Sequence, residues 1–590
     1  MAVSSNIVSS GSGRKFERFV TLDFARGLAI VVMLFLHIVQ RTLNIDALFN
    51  TIEQQPIINL LALSLIPFYG GLAGFFLIIS AASNMVSMYR DLHRGKSVQA
   101  LVLKQVFGGF LLLIFAMLCE GLIGYQGLVG NFFKHLNNPA ATDWTVMLWR
   151  WNFFETIHTI AWCLIINGCV QGLLSLKGSW QNTKRMIISY GILAVIIVAL
   201  TQPMWDLVRT IVPGYPFGSY PSGNTLFLPE IGTESFWQIF RAPFLNPLSA
   251  PMEPIFPYLA VSFLGSIIGI VLSKPRENIT KKFPKSMFLV GLAMFIGGLV
   301  GVFYSIAAVM SARDFDAAAA FYMTIINHRA WSPDYVLYDP TLTSIPPFAW
   351  LGQFLAVNGF SLMAIMFLFR LVEFRNKSKQ FADRTKFVRR FGIVAFTNYN
   401  NQWLFFLVFY LTSSLIYFTP YAKLYWGGVF LTVILTYALY HLILIGWEKI
   451  KYTGSLEWII RTIANNLIPA RKDRFKEGTK WWQKGQVDIE NTFYKASWIN
   501  LRKEHSNVAK PQNKREDSKF AFQLSLIALF SIIFIVISFL SLGIAIQARK
   551  REGKSKINTT AIALSSISIA LIIAFTITGF ILPIGVLGIF

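Results

Sequence analysis

The chain is short of charge, and of acid most of all. Only 14 % of its 590 residues are charged, 29 Asp and Glu stand against 53 Lys and Arg, and 54 % of the residues are hydrophobic. With a mean hydropathy of +0.53, this balance excludes an ordinary soluble domain. Cysteine is scarcer still: Cys119, Cys163 and Cys169 each fall inside an apolar run, so neither a disulfide framework nor a thiolate zinc site follows. H-E-x-x-H spacing is missing, as is a G-x-x-x-x-G-K-[ST] loop, and no metal or P-loop chemistry is expected. The dyad alternation of a membrane barrel is missing too. The first residues are mostly polar with a basic end, and no cleavable leader is read in them.

Long apolar runs are what the chain has. Runs of about 20 residues recur from end to end, the length that crosses a hydrocarbon core as a helix. They are Phe24–Leu43, Pro67–Tyr89, Ala100–Gly124, Phe153–Leu176, Met186–Trp205, Ile255–Leu272, Met287–Met310, Ala349–Val372, Phe391–Phe418 and Trp426–Trp447. Backbone groups in lipid must be satisfied within their own segment, which makes the spans helical. The expected fold class is all-α: a polytopic helical membrane protein with a core of about ten transmembrane helices plus a C-terminal helical hairpin. Ile57–Ile66, cut from the next run by Pro67, is expected along the outer surface.

The net charge of +24 gathers in alternate loops. Arg14, Lys15 and Arg18 precede the first run, Arg90, Arg94 and Lys96 follow the second, and Lys177, Lys184 and Arg185 follow the fourth. Lys274, Arg276, Lys281, Lys282 and Lys285 follow the sixth, and Arg375 to Arg390 brings seven more after the eighth. Every second loop is basic, which predicts a multi-pass protein of the cell (cytoplasmic) membrane with its N-terminus in the cytoplasm. Membrane lipids are expected partners and nucleic acid is not. The intervening loops, of which Asp206–Pro254 and Ser311–Phe348 are the largest, are expected outside. Residues 1–461 read as the transmembrane core, 462–519 as a basic polar cytoplasmic segment, and 520–590 as a two-helix membrane hairpin built from Phe520–Ile546 and Thr559–Phe590. The hairpin breaks the charge rule, because with Glu448–Lys519 inside, the basic loop Arg549–Lys556 falls outside.

The first run, LDFARGLAIVVMLFLH (Leu22–His37), carries the clearest chemistry. Arg26 and His37 are eleven residues apart, about 16 Å of helical rise and within about 20° of one face. If Arg26 marks the interface, His37 lies near the midplane. Asp23, at i−3, is placed to pair with Arg26, and Gln40 and Arg41 continue the polar stripe. An ionisable group at that depth is a functional-site hypothesis; the competing reading is a histidine that only glues helices together.

This stretch resembles the first transmembrane helix of the acyltransferase type 3 family, whose arginine is followed eleven residues later by a functional histidine. It is equally similar to the heparan-α-glucosaminide N-acetyltransferase-like and YeiB-like membrane proteins, grouped with it as transmembrane acyltransferases. GGLAGFFLIISAASNMV (Gly70–Val86) is similar to the F-F-x-x-S-G second span, and ETIHTIAW (Glu155–Trp162) to the I-L-H segment of the glucosaminide group. FGIVAFTNYNNQ (Phe391–Gln402) and KYTGSLEWIIR (Lys451–Arg461) resemble the F-G-x-x-x-x-T-N-Y-x-x-Q and G-P-L-E-W-x-x-R stretches of YeiB-like proteins, with Ser455 in place of the proline. The resemblance covers Phe16 to Arg461. It departs from the pattern at His37, where relatives often carry asparagine, and in the loop Arg41–Pro56, which has Asp46 and Glu53 but no histidine. The departure favours His37 as the base.

The resemblance implies an acyltransferase that takes acyl-CoA, most simply acetyl-CoA, from the cytoplasm and modifies a glycan or envelope sugar outside, by O- or N-acetyl transfer. Arg26 with Asp23, Arg90 and Lys104 are candidates for the phosphates of coenzyme A. His37 is the candidate base, with the Glu155/His158 pair as a second acid/base constellation. Gln40, Arg41, Glu120, Asn398 and Gln402 are candidates on the acceptor side, the last two expected to point inward together at i, i+4. For most of these, anchoring or interhelical hydrogen bonding is the competing role. Direct and covalent transfer stay open, as do a homodimer and a transporter or exporter of a glycan or lipid-linked substrate.

Overall fold

A computed structural model of the chain describes residues 17–43, 59, 72–151, 154–211, 244–245, 247–249, 253–312, 349–416, 420–468, 475, 478–501, 516–530 and 535–576. The Ile57–Ile66 stretch apart from Asn59, and most of the loops Asp206–Pro254 and Ser311–Phe348, lie outside the described residues. The chain divides into two compact units, one of residues 1–42, 66–418 and 430–502, the other of residues 43–65, 419–429 and 503–590.

The first unit is built from α1 (Val20–Leu43), α2 (Leu72–His93), α3 (Val98–Leu122), α4 (Thr156–Leu174), α5 (Thr183–Ile211), α6 (Ile255–Leu272), α7 (Lys282–Ala312) and α8 (Ala349–Leu371). After these come α9 (Lys386–Ile393), α10 (Ala395–Asn400), α11 (Leu404–Ile416), α12 (Pro420–Lys449), whose first residues belong to the second unit, and α13 (Leu456–Leu467). Among the described residues, eight helices are long and apolar enough to cross a membrane: α1, α3 to α8 and α12. The protein is an all-α, polytopic helical membrane protein.

Burial sorts the bundle. The apolar window of α6 is 89 % buried and that of α7 only 11 %, which puts α6 at the centre and α7 on the rim. α6 packs on α2 and α5, α3 on α4, and α7 on α8. Lipid supplies no hydrophobic drive between helices, so close contact depends on small residues. Gly265 and Gly269 let α6 lie against the backbone of α2: an added Cβ would stand 2.5 Å from the Ile78 carbonyl oxygen or 2.6 Å from that of Ala82.

The expected ninth span, Phe391–Phe418, is not one helix. It is divided into α9, α10, a 3-10 turn at Asn401–Trp403 and α11. The run Thr397–Gln402 is wholly polar or aromatic, and its amides take backbone carbonyls for themselves: Asn398 donates to Phe391 O at 3.2 Å, Asn400 to Phe396 O at 2.9 Å and Gln402 to Tyr399 O at 2.6 Å. Such side chains compete with the helical ladder.

The expected boundary after Arg461 falls inside α13, and described residues beyond it return to the first unit: Thr492 accepts from Arg18, and the Leu501 N–H donates to Glu373 O at 2.9 Å. A two-residue strand, β2 (Ser497–Trp498), runs parallel to β1 (Glu17–Arg18), pairing Glu17 with Ser497 and Arg18 with Trp498. The buried Arg389 of α9 donates to Ala382 O at 3.1 Å and Thr492 O at 2.7 Å and lies over the Trp498 ring.

The tail differs from the expected hairpin. The segment expected as Phe520–Ile546 is shared between α14 (Glu516–Phe530) and α15 (Ile535–Glu552), and α16 (Lys556–Thr576) follows. Glu552 accepts from the N–H groups of Asp517 (2.8 Å) and Ser518 (3.0 Å), capping α14, and Asn558 reaches Ser518 Oγ at 3.4 Å. The start of α14, the end of α15 and the start of α16 therefore share one end of this bundle. Serine and alanine form its seam, with Ser538 and Ser568 bonded at 2.8 Å.

Candidate functional site

Two polar clusters lie at opposite ends of α1. At the first turns, Asp23 is paired with Arg18 at 2.9 Å rather than with Arg26. The reason is reach: β1 brings Arg18 back over the turn, where it also donates to Thr492 Oγ1 at 3.3 Å. Arg26 donates to Ser83 Oγ of α2 at 3.3 Å. Glycines let a second element in beside it. A Cβ on Gly27 would overlap Val388 O, and one on Gly392 would stand 2.8 Å from Gly27 N, so α9 lies against α1 backbone to backbone.

α13 closes this end. Ser455 caps it, accepting from Trp458 N–H at 3.1 Å, and the next acid, Glu457, bridges to α10. Its carboxylate accepts from Phe396 N–H (2.6 Å) and the Thr397 hydroxyl (2.6 Å). A carboxylate at a helix start satisfies orphan N–H groups and favours the positive end of the dipole. Burial raises the Glu457 carboxyl above the usual range, with the Thr397 hydroxyl and Arg461 working the other way. Arg461, one turn further on the same face, is lowered by burial; Glu457 opposes that shift, and Arg26 and Arg18 add to it.

At the other end, His37 is the eighteenth of the 24 residues of α1, well past the middle of the helix rather than at it. Its Nδ1 is bonded to Gln402 Oε1, and its ring stacks on Tyr125, centroids 4.7 Å apart. The amide of Gln402 is oriented by its donation to Tyr399 O. Oε1 must then accept, Nδ1 of His37 must donate, and the neutral imidazole carries its lone pair on Nε2. Among the described residues nothing bonds to Nε2. The interrupted ninth span makes this possible, because the 3-10 turn swings Gln402 onto α1.

Behind Gln402, a chain of buried and half-buried groups leads away. Tyr399 donates its hydroxyl to Glu155 Oε2 at 2.7 Å, the other oxygen of Glu155 pairs with Arg150, and Arg150 Nε donates to Glu120 Oε1 at 2.9 Å. One guanidinium serves two carboxylates in a water-poor place, an arrangement that holds only when every partner stays. His158 meets Glu155 through the backbone, its Nδ1 accepting the Glu155 N–H at 3.4 Å. The expected carboxylate–imidazole pair is thus a closure of the first turn of α4. Beside it, Glu253, just before α6, accepts at its carbonyl from Thr159. Burial pushes the Glu253 carboxyl up to about 8, the Thr156 hydroxyl opposing and Glu155 adding.

The remaining candidates scatter. Lys104 is locked to Asp91 at 2.7 Å, with side chains only 7 % and 0 % exposed, which removes it from the expected phosphate site. Arg90 donates to Ser87 Oγ at 3.4 Å on its own helix. Arg41 lies over the rings of Phe406 and Phe409, and Gln40 is exposed. Asn398 turns back to Phe391 O and does not share a direction with Gln402, since the helix stops between them. A cavity of about 20 Å³ between α2, α3, α4 and α6, room for roughly one water, is lined by Asn84, Gln105, Asn167 and Ser262 and touches neither cluster. Among the described residues no group of His, Cys, Asp and Glu has the arrangement of a metal site.

Sequence reasoning passed over Arg150, Tyr399, Glu253, Glu457 and Arg461. Two of these stand inside the quoted E-W-x-x-R motif and one inside T-N-Y-x-x-Q; the signal was there, but the weight went to their neighbours. Arg150 ends a five-residue helix, Val146–Arg150, too short to show a periodicity that would mark it. No family model, no curated protein and no solved structure matches the chain.

Proposed function

We propose that this protein is an integral-membrane acyltransferase that moves an acyl group, most simply acetyl, from cytoplasmic acyl-CoA to a glycan or envelope sugar on the far side. The single observation that carries this reading is the fixed tautomer of His37. With Nδ1–H given to Gln402 Oε1, Nε2 is the open lone pair of a neutral imidazole. Such a group takes the proton of an acceptor hydroxyl or amine as that oxygen or nitrogen attacks the thioester carbonyl; the carbon–sulfur bond breaks and the coenzyme A thiolate leaves. Eleven residues along α1 separate this base from Arg26, about 16 Å of rise. The basic alternate loops support a reading in which the N-terminus and the α13 end face the cytoplasm of a cell-membrane protein and the His37 end faces outward.

The test is transfer itself. Surface glycans of cells with the wild-type gene should carry an acyl mass that is lost with His37→Ala, while the variant protein inserts and accumulates normally. Full transfer by a well-inserted His37→Ala ends the proposal.

One observation favours a second reading. The ninth span is broken at Val394 and Asn401–Trp403, and discontinuous spans line substrate paths in transporters. Purified protein in detergent separates the two: an acyltransferase consumes acyl-CoA there, and a transporter of a glycan or lipid-linked substrate leaves it intact.

A further inference from the structure

The end of α1 opposite His37 carries more positive charge than its own acids can answer. Asp23 is taken by Arg18. Glu457 is taken by two backbone N–H groups and a hydroxyl of α10. Arg26 is left with a single 3.3 Å bond to a neutral serine. Among the described residues, neither Arg26 nor Arg461 makes an ion pair. Both are half-buried rather than solvated, and Arg461 is placed within electrostatic reach of Arg26, Arg18 and Glu457.

Guanidinium groups gathered under partial burial repel one another, and the low local dielectric magnifies the cost. An arrangement of this kind is held in place by something stronger, and here that is visible. Glu457 pins the first turn of α13 to α10, the glycine contact at Gly27 and Gly392 pins α9 to α1, and Arg461 lies one turn beyond Glu457 on the same helix face. A third acid at this end, Glu373, is likewise taken, by the Thr21 N–H (2.9 Å) and hydroxyl (2.6 Å). The fold spends these acids on fixing the frame and leaves two planar, five-donor cations within electrostatic reach of one another. That is the donor set for a phosphate group, whose oxygens match the guanidinium fork two at a time.

We infer that Arg461 and Arg26 together form a clamp for a phosphate-bearing ligand between the start of α1 and α13, with Glu457 as a positioning residue. Lys104 has no part in it, being spent on Asp91. The clamp deepens the donor side of the proposed reaction, since it names Arg461, on a helix outside the apolar spans, as a residue that holds the ligand's phosphates. The same chemistry would fit the headgroup of an anionic phospholipid, and the measurement has an arm for each source.

Full-length protein purified in detergent is titrated with pyrophosphate and, separately, with coenzyme A, and is reconstituted in nanodiscs with and without phosphatidylglycerol to follow retained lipid. Wild type should bind at least one of these phosphates. Arg461→Gln should weaken that binding about tenfold or more, the loss of one charge-assisted contact, with Arg461→Lys in between and the exposed Lys449→Gln unchanged. Loss confined to pyrophosphate and coenzyme A assigns the clamp to a soluble ligand, and loss confined to phosphatidylglycerol assigns it to the lipid. Equal binding by wild type and Arg461→Gln, or no binding of any probe by wild type, overturns the clamp. Should Arg461→Gln fail to fold, the lysine variant decides, because it keeps the charge and loses the fork: unweakened binding by it would reject the bidentate clamp. Pyrophosphate binding without coenzyme A binding would keep the clamp and remove acyl-CoA as the donor, so the two proposals fail separately.

Discussion

The two ends of α1 hold similar numbers of ionisable groups and treat them in opposite ways. At the His37 end, every acid of the Glu120–Arg150–Glu155 triad is paired and Tyr399 ties it to Gln402. At the Arg26 end, the acids are used on the protein's own frame, and among the described residues Arg26 and Arg461 make no ion pair. A closed network fixes geometry, because moving any member exposes a buried charge. An open one stores affinity, because an arriving anion gains what the protein has withheld. On the proposed reading, the same helix holds a fixed imidazole at one end and an anion site at the other, the two parts that transfer across a membrane would need.

The largest way to break the comparison is to remove the base. His37→Ala should lower acyl transfer by about 10²- to 10⁴-fold, the usual worth of general-base catalysis, with the yield of inserted protein unchanged. An acyl-CoA turnover assay measures this directly. A loss of less than about tenfold would mean that the paired network exists to hold the bundle and that the base lies elsewhere.

Next come the buried ion pairs. Arg150→Met takes the guanidinium from the buried Glu120 and Lys104→Met takes the ammonium from the buried Asp91, and each should cost about 3–5 kcal/mol, read as a large fall in the thermal midpoint in detergent. They should part company in binding: Lys104→Met keeps wild-type affinity for coenzyme A within about twofold, because the Lys104–Asp91 pair is closed. A tenfold loss of affinity in that variant would return Lys104 to the phosphate site and blur the contrast between closed and open charge.

A smaller effect sharpens the His37 end. Gln402→Leu removes the acceptor of the Nδ1 proton and frees the imidazole to take either tautomer, which should reduce transfer about tenfold through one lost hydrogen bond of roughly 1.4 kcal/mol. Gln402→Glu restores an acceptor and should recover part of the rate. If leucine and glutamate variants behave alike, the tautomer is not what Gln402 supplies.

How much of this could be read from the sequence follows the same division. The apolar runs gave the helices nearly to the residue, as with Ile255–Leu272, because length and hydropathy are local properties. His37 with Gln402 was legible as two polar groups in apolar runs, but their contact was not, since it depends on where the ninth span breaks. The T-N-Y-N-N-Q run carried that break in plain view; its amides bond backbone carbonyls, which a hydropathy count does not register. Asp23 illustrates the opposite failure. Helical spacing offered Arg26 as its partner, and a two-residue parallel strand pairing Arg18 with Trp498, 480 positions later, supplied a nearer guanidinium. The tail differs for a similar reason: one apolar run long enough to span is shared between two helices, α14 and α15, and hydropathy does not register where one helix ends.

The mildest probe is pH, through Glu253 beside the closed network. In the folded protein its carboxyl is pushed by burial up to about 8, whereas an unfolded glutamate titrates at about 4.3. Between those values the unfolded chain has released its proton and the folded chain still holds it, so folding carries a growing cost as pH rises. Stability from this group is fully present below about 4.3 and is lost as pH climbs through about 8. The thermal midpoint of the wild type should therefore drop across that window, and Glu253→Gln, which cannot ionise, should flatten the slope while leaving the low-pH midpoint close to wild type. An unchanged slope in the glutamine variant would show that water reaches this carboxylate, and with it the edge of a network whose whole character rests on being closed.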